Sequence, residues 1–148
     1  MCFVRDLLRS RPAEVWTIGP RDTAYKALEL MAEKNVGALP VVDTEAGGRL
    51  VGMFSERDYA RKVILKGKSS QATAVSEIMS SPVIYVSPSD DVEAAMRLMN
   101  EHHIRHLPVV EGGRLIGLVS IGDILRAMIA EKDVLIMDLE NFIVGARS

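Results

Sequence analysis

The sequence contains two copies of one segment, and this duplication constrains the fold more than any other feature. Pro88 lies 68 positions after Pro20, and the same spacing relates further pairs of identical residues. The pairs at this spacing are Pro20/Pro88, Asp22/Asp90, Ala27/Ala95, Leu30/Leu98, Met31/Met99, Glu33/Glu101, Leu39/Leu107, Pro40/Pro108, Val41/Val109 and Val42/Val110. The spacing then falls to 65, because the first copy carries three extra residues within positions 43–46. The pairs beyond that gap are Gly47/Gly112, Gly48/Gly113, Arg49/Arg114, Leu50/Leu115, Gly52/Gly117, Ser55/Ser120, Asp58/Asp123 and Arg61/Arg126. A gap that falls in a turn and leaves both flanks in register indicates two supersecondary units of one kind.

The size of each copy predicts that the two copies share one core. The chain has 148 residues, of which 48% are hydrophobic and 26% charged, as in an ordinary globular domain. A unit of about 65 residues is marginal alone, since it buries too little of its surface. We therefore expect one module with five parts. These are an N-terminal helical segment (1–13), repeat 1 (14–68), a linker with a short helical turn (69–82), repeat 2 (83–131) and a C-terminal helix (132–148).

Charge and cysteine content exclude several classes of partner. A formal net charge of −2 argues against a nucleic-acid surface, which needs a basic stripe. The single cysteine, Cys2, excludes an internal disulfide and suits a reducing compartment. No apolar run approaches the length of about 18 residues that a membrane span requires, and charge at Arg5 and Asp6 interrupts any signal-peptide core. We expect a cytoplasmic protein that binds neither nucleic acid nor membrane.

Hydrophobic periodicity predicts the secondary structure of each copy. Apolar residues with helical spacing occupy positions 24, 27, 28 and 31, and again 92, 95, 96 and 99. Unbroken apolar runs at 39–43, 50–54, 107–111 and 115–119 favour strands covered on both faces. With a further strand at 14–18 and closing helices at 56–66 and 121–131, each copy is predicted to be β-α-β-β-α. A short helix at 4–8, which we expect to cover the start of the first copy, resembles the turn at 75–79. A separate amphipathic helix at 133–144 should pack on the module or on a partner chain.

Both copies end on the pattern Gly, two apolar residues, Ser, two variable residues, Asp, at positions 52–58 and 117–123. One interpretation is a capping box. In this motif the serine side chain accepts from a free N–H group of the helix start, and the carboxylate three residues later accepts from the backbone N–H of the serine. A functional interpretation uses the same geometry. A helix start attracts phosphate, and a carboxylate there can accept the hydroxyls of a ribose.

The duplicated units, their Leu-Pro-Val-Val strands and the two serine-to-aspartate endings together resemble a tandem pair of cystathionine beta-synthase (CBS) domains, or Bateman module, over residues 14–131. The resemblance implies an α/β fold of the α+β type, with two repeats related by pseudo-two-fold symmetry and adenosine-nucleotide clefts between them. It also implies a stand-alone signal-transduction protein of this family.

The resemblance further implies which residues line the clefts. Asp58 and Asp123 would hold the ribose, with Ser55 and Ser120 near sugar and phosphate. Arg57 would direct its guanidinium at a phosphate, as its counterpart Gly122 cannot. The remaining residues implied for the clefts are Gly19, Ala24, Val36, Ser87, Val92 and Ile104, with Arg105 and His106 as phosphate contacts. The first copy has Gly37 and Ala38 at the positions of that basic pair, so we expect the two clefts to be inequivalent.

Metal binding and catalysis find less support in the sequence. His102 and His106 have i, i+4 spacing, which can chelate a metal on a helix, but the segment runs from a helix end into a strand. Residues 117–122 have one residue too many for a nucleophile elbow, and residues 47–49 lack the lysine of a phosphate-binding loop. We expect no catalytic residue and no metal.

The function expected from the sequence is a regulatory module that binds an adenine nucleotide and signals to an unknown partner protein. AMP is the leading ligand, with ADP, ATP, NAD and S-adenosylmethionine as the others. We also expect a homodimer formed through the CBS modules. Two alternatives stay open: a structural dimerisation module with vestigial clefts, and a metal-binding enzyme built on the histidines.

Overall fold

The computed structural model of the chain describes residues 2–9 and 15–147. Each repeat contains one helix, one antiparallel hairpin and a second helix. The helices are α1 (Val4–Arg9), α2 (Ala24–Lys34), α3 (Glu56–Tyr59), α4 (Val75–Ile78), α5 (Val92–His102) and α6 (Ile121–Arg147). The strands are β1 (Ala38–Asp43), β2 (Arg49–Ser55), β3 (His106–Glu111) and β4 (Arg114–Ser120).

The two hairpins are near-identical copies. β1 pairs with β2 and β3 with β4, each ladder shifting register at the same place, between Val41 and Val42 and between Val109 and Val110. The short hairpin turns at Gly112 and Gly113, both with positive φ, a conformation that glycine adopts without strain. The three extra residues of the first copy form a 3-10 turn, Thr44–Ala46, ahead of its own glycine pair. The gap inferred from the sequence is therefore an insertion at a hairpin tip.

The strand expected at 14–18 is reduced to a single residue. Ile18 forms a parallel bridge to Val41, with its N–H donating to the carbonyl of Pro40 (3.1 Å) and its carbonyl accepting from Val42 N–H (2.9 Å). Val86 repeats this bridge with Val109 in the second copy. Proline follows two residues later in each copy and has no N–H to extend a ladder. The expectation of a full first strand was wrong for residues 15–17, and residue 14 lies outside the described residues.

Two of the predicted helices have different limits in the structure. The helix expected at 56–66 is α3 followed by a π-helical turn, Ala60–Ile64, closed by the bond from Leu65 N–H to the carbonyl of Ala60 (3.1 Å). The helices expected at 121–131 and 133–144 are one continuous helix, α6. No glycine or proline interrupts positions 131–133, so nothing in the chain ends the helix there.

Helices α2 and α5 are capped at both ends. Thr23 and Asp91 cap the N-termini of α2 and α5 with their side chains, and Asn35 and His103 close the C-termini in the left-handed conformation. The apolar faces of both helices are buried in the core, as expected from their spacing. None of the helices in the described ranges combines the length and the apolar character that crossing a bilayer requires.

The short helices α1 and α4 each cover a repeat, but α1 covers the opposite one from that expected. Val4 and Leu7 of α1 lie in the core of repeat 2, and Val75 and Ile78 of α4 lie in the core of repeat 1. The backbone pairs confirm the symmetry. Val4 N–H donates to Asp90 carbonyl and Val75 N–H to Asp22 carbonyl, both at 2.8 Å. The N-terminal helix therefore packs on the second copy, and the repeats are intertwined.

Candidate functional site between the two repeats

A cleft of about 490 Å³ lies between the repeats, within the usual range for small-molecule sites. Both repeats and the linker contribute to its walls. Its lining residues are Gly37, Ala38, Met53, Ser55, Glu56, Arg57, Asp58, Ser80, Pro82, Val83, Ile84, His103, Ile104, Arg105 and His106. Of the residues that the sequence predicted for the site, seven meet here: Ser55, Arg57, Asp58, Gly37, Ile104, Arg105 and His106.

Asp58 forms the capping box that its motif predicted. Its backbone N–H donates to Ser55 Oγ (3.2 Å), and its Oδ2 accepts from the backbone N–H and the hydroxyl of Ser55, both at 3.0 Å. The carboxylate is buried, with 8% of the residue exposed. The capping interpretation is therefore confirmed, and the same contacts hold the carboxylate at the wall of the cleft.

The second carboxylate oxygen of Asp58 has two further partners. Ser80 Oγ donates to Oδ1 at 3.2 Å, and the ammonium of Lys62 lies 3.3 Å from the same oxygen. Lys62 also donates to the carbonyl of Ile78 at 3.0 Å. Sequence reasoning named neither residue. The spacing of Lys62 four residues after Asp58 was a readable sign of an ion pair on a helix, whereas Ser80 reaches the site through the path of the linker, which no local pattern shows.

Arg57 connects the two repeats at the rim of the cleft. Its Nη1 donates to the carbonyl of His103 at 3.0 Å, across 46 positions of sequence. His103 ends α5 in the left-handed conformation, where a helix leaves carbonyls without an internal partner. The guanidinium that the family resemblance directs at a phosphate is engaged with the opposite repeat in this structure.

Gly37 and Arg105 occupy equivalent places in front of the two hairpins. The carbonyl of Gly37 accepts from Glu56 N–H (3.2 Å), and the carbonyl of Arg105 accepts from Ile121 N–H (2.8 Å). These bonds fasten the start of each closing helix to the segment before the first hairpin strand. A side chain at Gly37 would come within 3.8 Å of His106 Cε1, so the imidazole lies next to this glycine.

His106 is half-buried at the junction of the repeats. Burial lowers the pKa of its imidazole below 6.5, because the charged form loses water; nearby Arg105 acts in the same direction, and Asp123 and Glu56 oppose it. The lowered pKa favours the neutral imidazole. Its counterpart in the first copy, Ala38, is fully buried and cannot titrate.

The second serine-to-aspartate motif has the same cap, but a different basic side chain pairs with its aspartate. Ser120 N–H donates to Asp123 Oδ2 (2.8 Å), and Asp123 N–H donates to Ser120 Oγ (3.2 Å). Arg126 Nη2 donates to Asp123 Oδ1 at 2.7 Å, whereas its counterpart Arg61 is exposed. At the spacing of 68, the linker residues Pro82, Val83 and Ile84 that line the first cleft correspond to positions 14–16, of which position 14 lies outside the described residues.

The other predicted site residues are not among those that line the described cleft. Gly19 and Ser87 donate their N–H groups to the carboxylates of Asp22 (2.9 Å) and Asp90 (2.7 Å) in the turns before α2 and α5. Ala24 and Val92 begin these helices and are buried in the two cores, and Val36 packs against the core of repeat 1. They remain predictions as ligand contacts.

The histidines do not converge on a metal site in the described part of the chain. His102 ends α5 and His106 begins β3, so their i, i+4 spacing does not lie on one helix. Among the described residues, no group of three or more His, Cys, Asp or Glu side chains could hold a metal ion.

Comparison with known proteins agrees with the fold. The model of the CBS domain matches the chain twice, over residues 4–65 and 75–130. The fold and these matches define a module of two paired CBS repeats. The chain belongs to the CBS domain family.

Two curated relatives and two solved structures illustrate the similarity. The chain is 43% identical over 126 residues to the mitochondrial CBS domain-containing protein CBSX3 of Arabidopsis thaliana, covering 84% of this chain and 61% of that protein. It is 39% identical to YhcV of Bacillus subtilis, with 84% of each chain covered. A CBS-domain protein from Burkholderia ambifaria, described as a signal-transduction protein, superposes with a TM-score of 0.82 at 48% identity, over 87% of this chain and 95% of that one. The hexameric CBS-CP12 protein from bloom-forming cyanobacteria superposes with a TM-score of 0.73 at 31% identity. The match covers 84% of this chain and 70% of that one.

Proposed function

We propose that the chain binds an adenine nucleotide in the cleft between its repeats and signals the bound state to a partner protein. The observation that carries this proposal is the buried carboxylate of Asp58, held by a capping box and facing a cleft that both repeats form. A carboxylate accepts the two hydroxyls of a ribose, as in dinucleotide-binding folds.

The remaining walls supply the other parts of a nucleotide site. Apolar side chains of Met53, Val83, Ile84 and Ile104 line the cleft and offer a surface for a purine ring. Arg105 offers a guanidinium to a phosphate. Glu56 also lines the cleft, and its negative charge disfavours a long phosphate chain. This balance favours AMP over ATP.

Signalling follows from where the walls originate. Repeat 1, repeat 2 and the linker all contribute to one cleft. A ligand that contacts all three stabilises one arrangement of the repeats over others, and the size of the effect equals its differential affinity for the two arrangements. The partner recognises the preferred arrangement.

Calorimetric titration of the purified protein with AMP, ADP, ATP, NAD and S-adenosylmethionine tests the proposal. GMP, which has the same ribose and phosphate with another base, is the matched control ligand. We expect AMP to bind and GMP to bind at least about ten-fold more weakly, a difference of about 1.4 kcal/mol. A protein free of bound nucleotide that binds none of the five adenosine compounds would support the structural alternative instead.

We further propose that the module forms a homodimer. The part of α6 beyond the core exposes Ile129, Ile136 and Leu139, each more than half accessible to solvent. These residues share one side of the helix at heptad-like spacing, the arrangement with which helices pair. A second copy of the chain supplies the same surface in return.

A further inference from the structure

Donors of the chain itself occupy the acceptor sites of Asp58. A carboxylate offers about four lone-pair sites on its two oxygens. Two donors from Ser55 take Oδ2, while Ser80 Oγ and the ammonium of Lys62 take Oδ1. A ribose hydroxyl therefore cannot simply be added to this carboxylate, and one of the four donors must leave.

The position of each donor indicates which one leaves. Ser80 lines the cleft and is exposed, whereas Lys62 is not among the lining residues. Lys62 reaches Asp58 from its own helix and is also fastened to the carbonyl of Ile78. The two Ser55 donors form the cap of α3, and losing them costs helix stability.

Ser80 can release its hydroxyl without losing its place in the fold. Its backbone is held independently of its side chain, since Ser80 N–H donates to Met53 carbonyl (2.8 Å) and Met53 N–H donates to Ser80 carbonyl (3.1 Å). The exchange removes the bond from its hydroxyl to Asp58, at 3.2 Å, and leaves both backbone bonds in place. A ribose hydroxyl then donates to Oδ1 in its place.

We propose that Ser80 sets the nucleotide affinity of this cleft by occupying the acceptor site on Asp58 that a ribose hydroxyl must take, while Lys62 is a positioning residue that holds the carboxylate from behind. This inference rests on the proposed function. It assigns opposite effects to two residues that contact the same oxygen. Removing the Ser80 hydroxyl strengthens binding, and removing the Lys62 ammonium weakens it.

The test compares Ser80→Ala, Lys62→Met and the control Ser76→Ala by calorimetric titration with two probes. Ser76 is exposed on α4, in the same segment as Ser80. The probes are AMP and 2′,3′-dideoxyadenosine monophosphate, which lacks both ribose hydroxyls and cannot exchange with Ser80. Ser80→Ala should bind AMP about two- to ten-fold more tightly, the net worth of a typical hydrogen bond, since the 3.2 Å contact of Ser80 is long for a bond to a carboxylate. It should bind the dideoxy probe as the wild type does. Lys62→Met should bind AMP more weakly, and Ser76→Ala should match the wild type.

The outcomes separate this inference from the proposed function. If the wild type binds AMP but Ser80→Ala binds it equally or more weakly, the exchange is refuted and the nucleotide site stands. An equal gain for AMP and for the dideoxy probe also refutes it, since the gain would then not depend on the ribose hydroxyls. If Lys62→Met gains affinity for AMP, Lys62 competes instead of positioning the carboxylate. If neither the wild type nor Ser80→Ala binds AMP, both proposals fail together.

Discussion

Replacing Asp58 with asparagine separates its role as a helix cap from its proposed role in ribose binding. Asparagine keeps one carbonyl oxygen, which can still accept from Ser55 N–H. It loses the charge, and its amide nitrogen then faces both Ser80 and Lys62. The cap is therefore retained in part. The acceptor for ribose and the partner of the ammonium are lost.

The structure provides a magnitude for each role. Loss of charge-assisted bonds costs about 1.5–3 kcal/mol where a ligand depends on them, which corresponds to a roughly 10- to 150-fold weaker affinity for AMP. The cost to stability is smaller, about 0.5–1.5 kcal/mol, because Ser55 N–H keeps an acceptor and the Lys62 side chain, 42% exposed, can return to water.

Two assays on the same variant measure these effects: titration with AMP, and urea unfolding followed by circular dichroism. Asp123→Asn is the matched control, since it removes an equivalent capping carboxylate from the other repeat. If Asp58→Asn lowers the free energy of unfolding but binds AMP as the wild type does, Asp58 is a cap only. Affinity lost equally in both variants would show that the described cleft is not the dominant site.

Three further predictions concern the rest of the module. Gly52→Ala should destabilise the protein by about 1–3 kcal/mol, since its Cβ would overlap the side chain of Met79, and a cost that Met79→Ala fails to relieve in urea unfolding would contradict this reasoning. His106 has a folded-state pKa below its unfolded value of 6.5, so the unfolded state takes up the proton first and stability falls as pH drops below about 6.5. His106→Leu should flatten that slope in unfolding experiments at a series of pH values, and an unchanged slope would assign the acid sensitivity elsewhere. Wild-type protein should be a dimer by light scattering and Ile136→Glu a monomer, since Ile136 lies on the exposed side of α6; a monomeric wild type would refute the dimer.

Features that depend on near neighbours in sequence were predictable. The buried faces of α2 and α5 follow from apolar residues spaced along one helix, and the caps follow from serine and aspartate three positions apart. The hairpins follow from apolar runs beside glycine pairs. Each of these features is formed by residues that are close together in the sequence, so a local sequence pattern predicts it.

Features that depend on distant parts of the chain were not predictable in the same way. The position of α1 is set by a backbone bond between Val4 and Asp90, and nothing near Val4 indicates which repeat it joins. The contact of Ser80 with Asp58 depends on the path of the linker past β2. The opposite error occurred at α6, where two apolar stripes indicated two helices although no residue between them ends a helix.

The intertwined packing explains how an event at Ser80 could reach both repeats. Ile78, two residues before Ser80, lies in the core of repeat 1, and Val86, six residues after it, lies in the core of repeat 2. The segment between these anchors forms one wall of the cleft, through Ser80, Pro82, Val83 and Ile84. A short segment fixed in two cores cannot shift at its middle without changing the forces on both. We therefore expect AMP bound against this wall to alter how the repeats sit against each other, and hydrogen exchange at residues 78–86 should change on addition of AMP to the wild type. Unchanged exchange in protein saturated with AMP would contradict this reasoning.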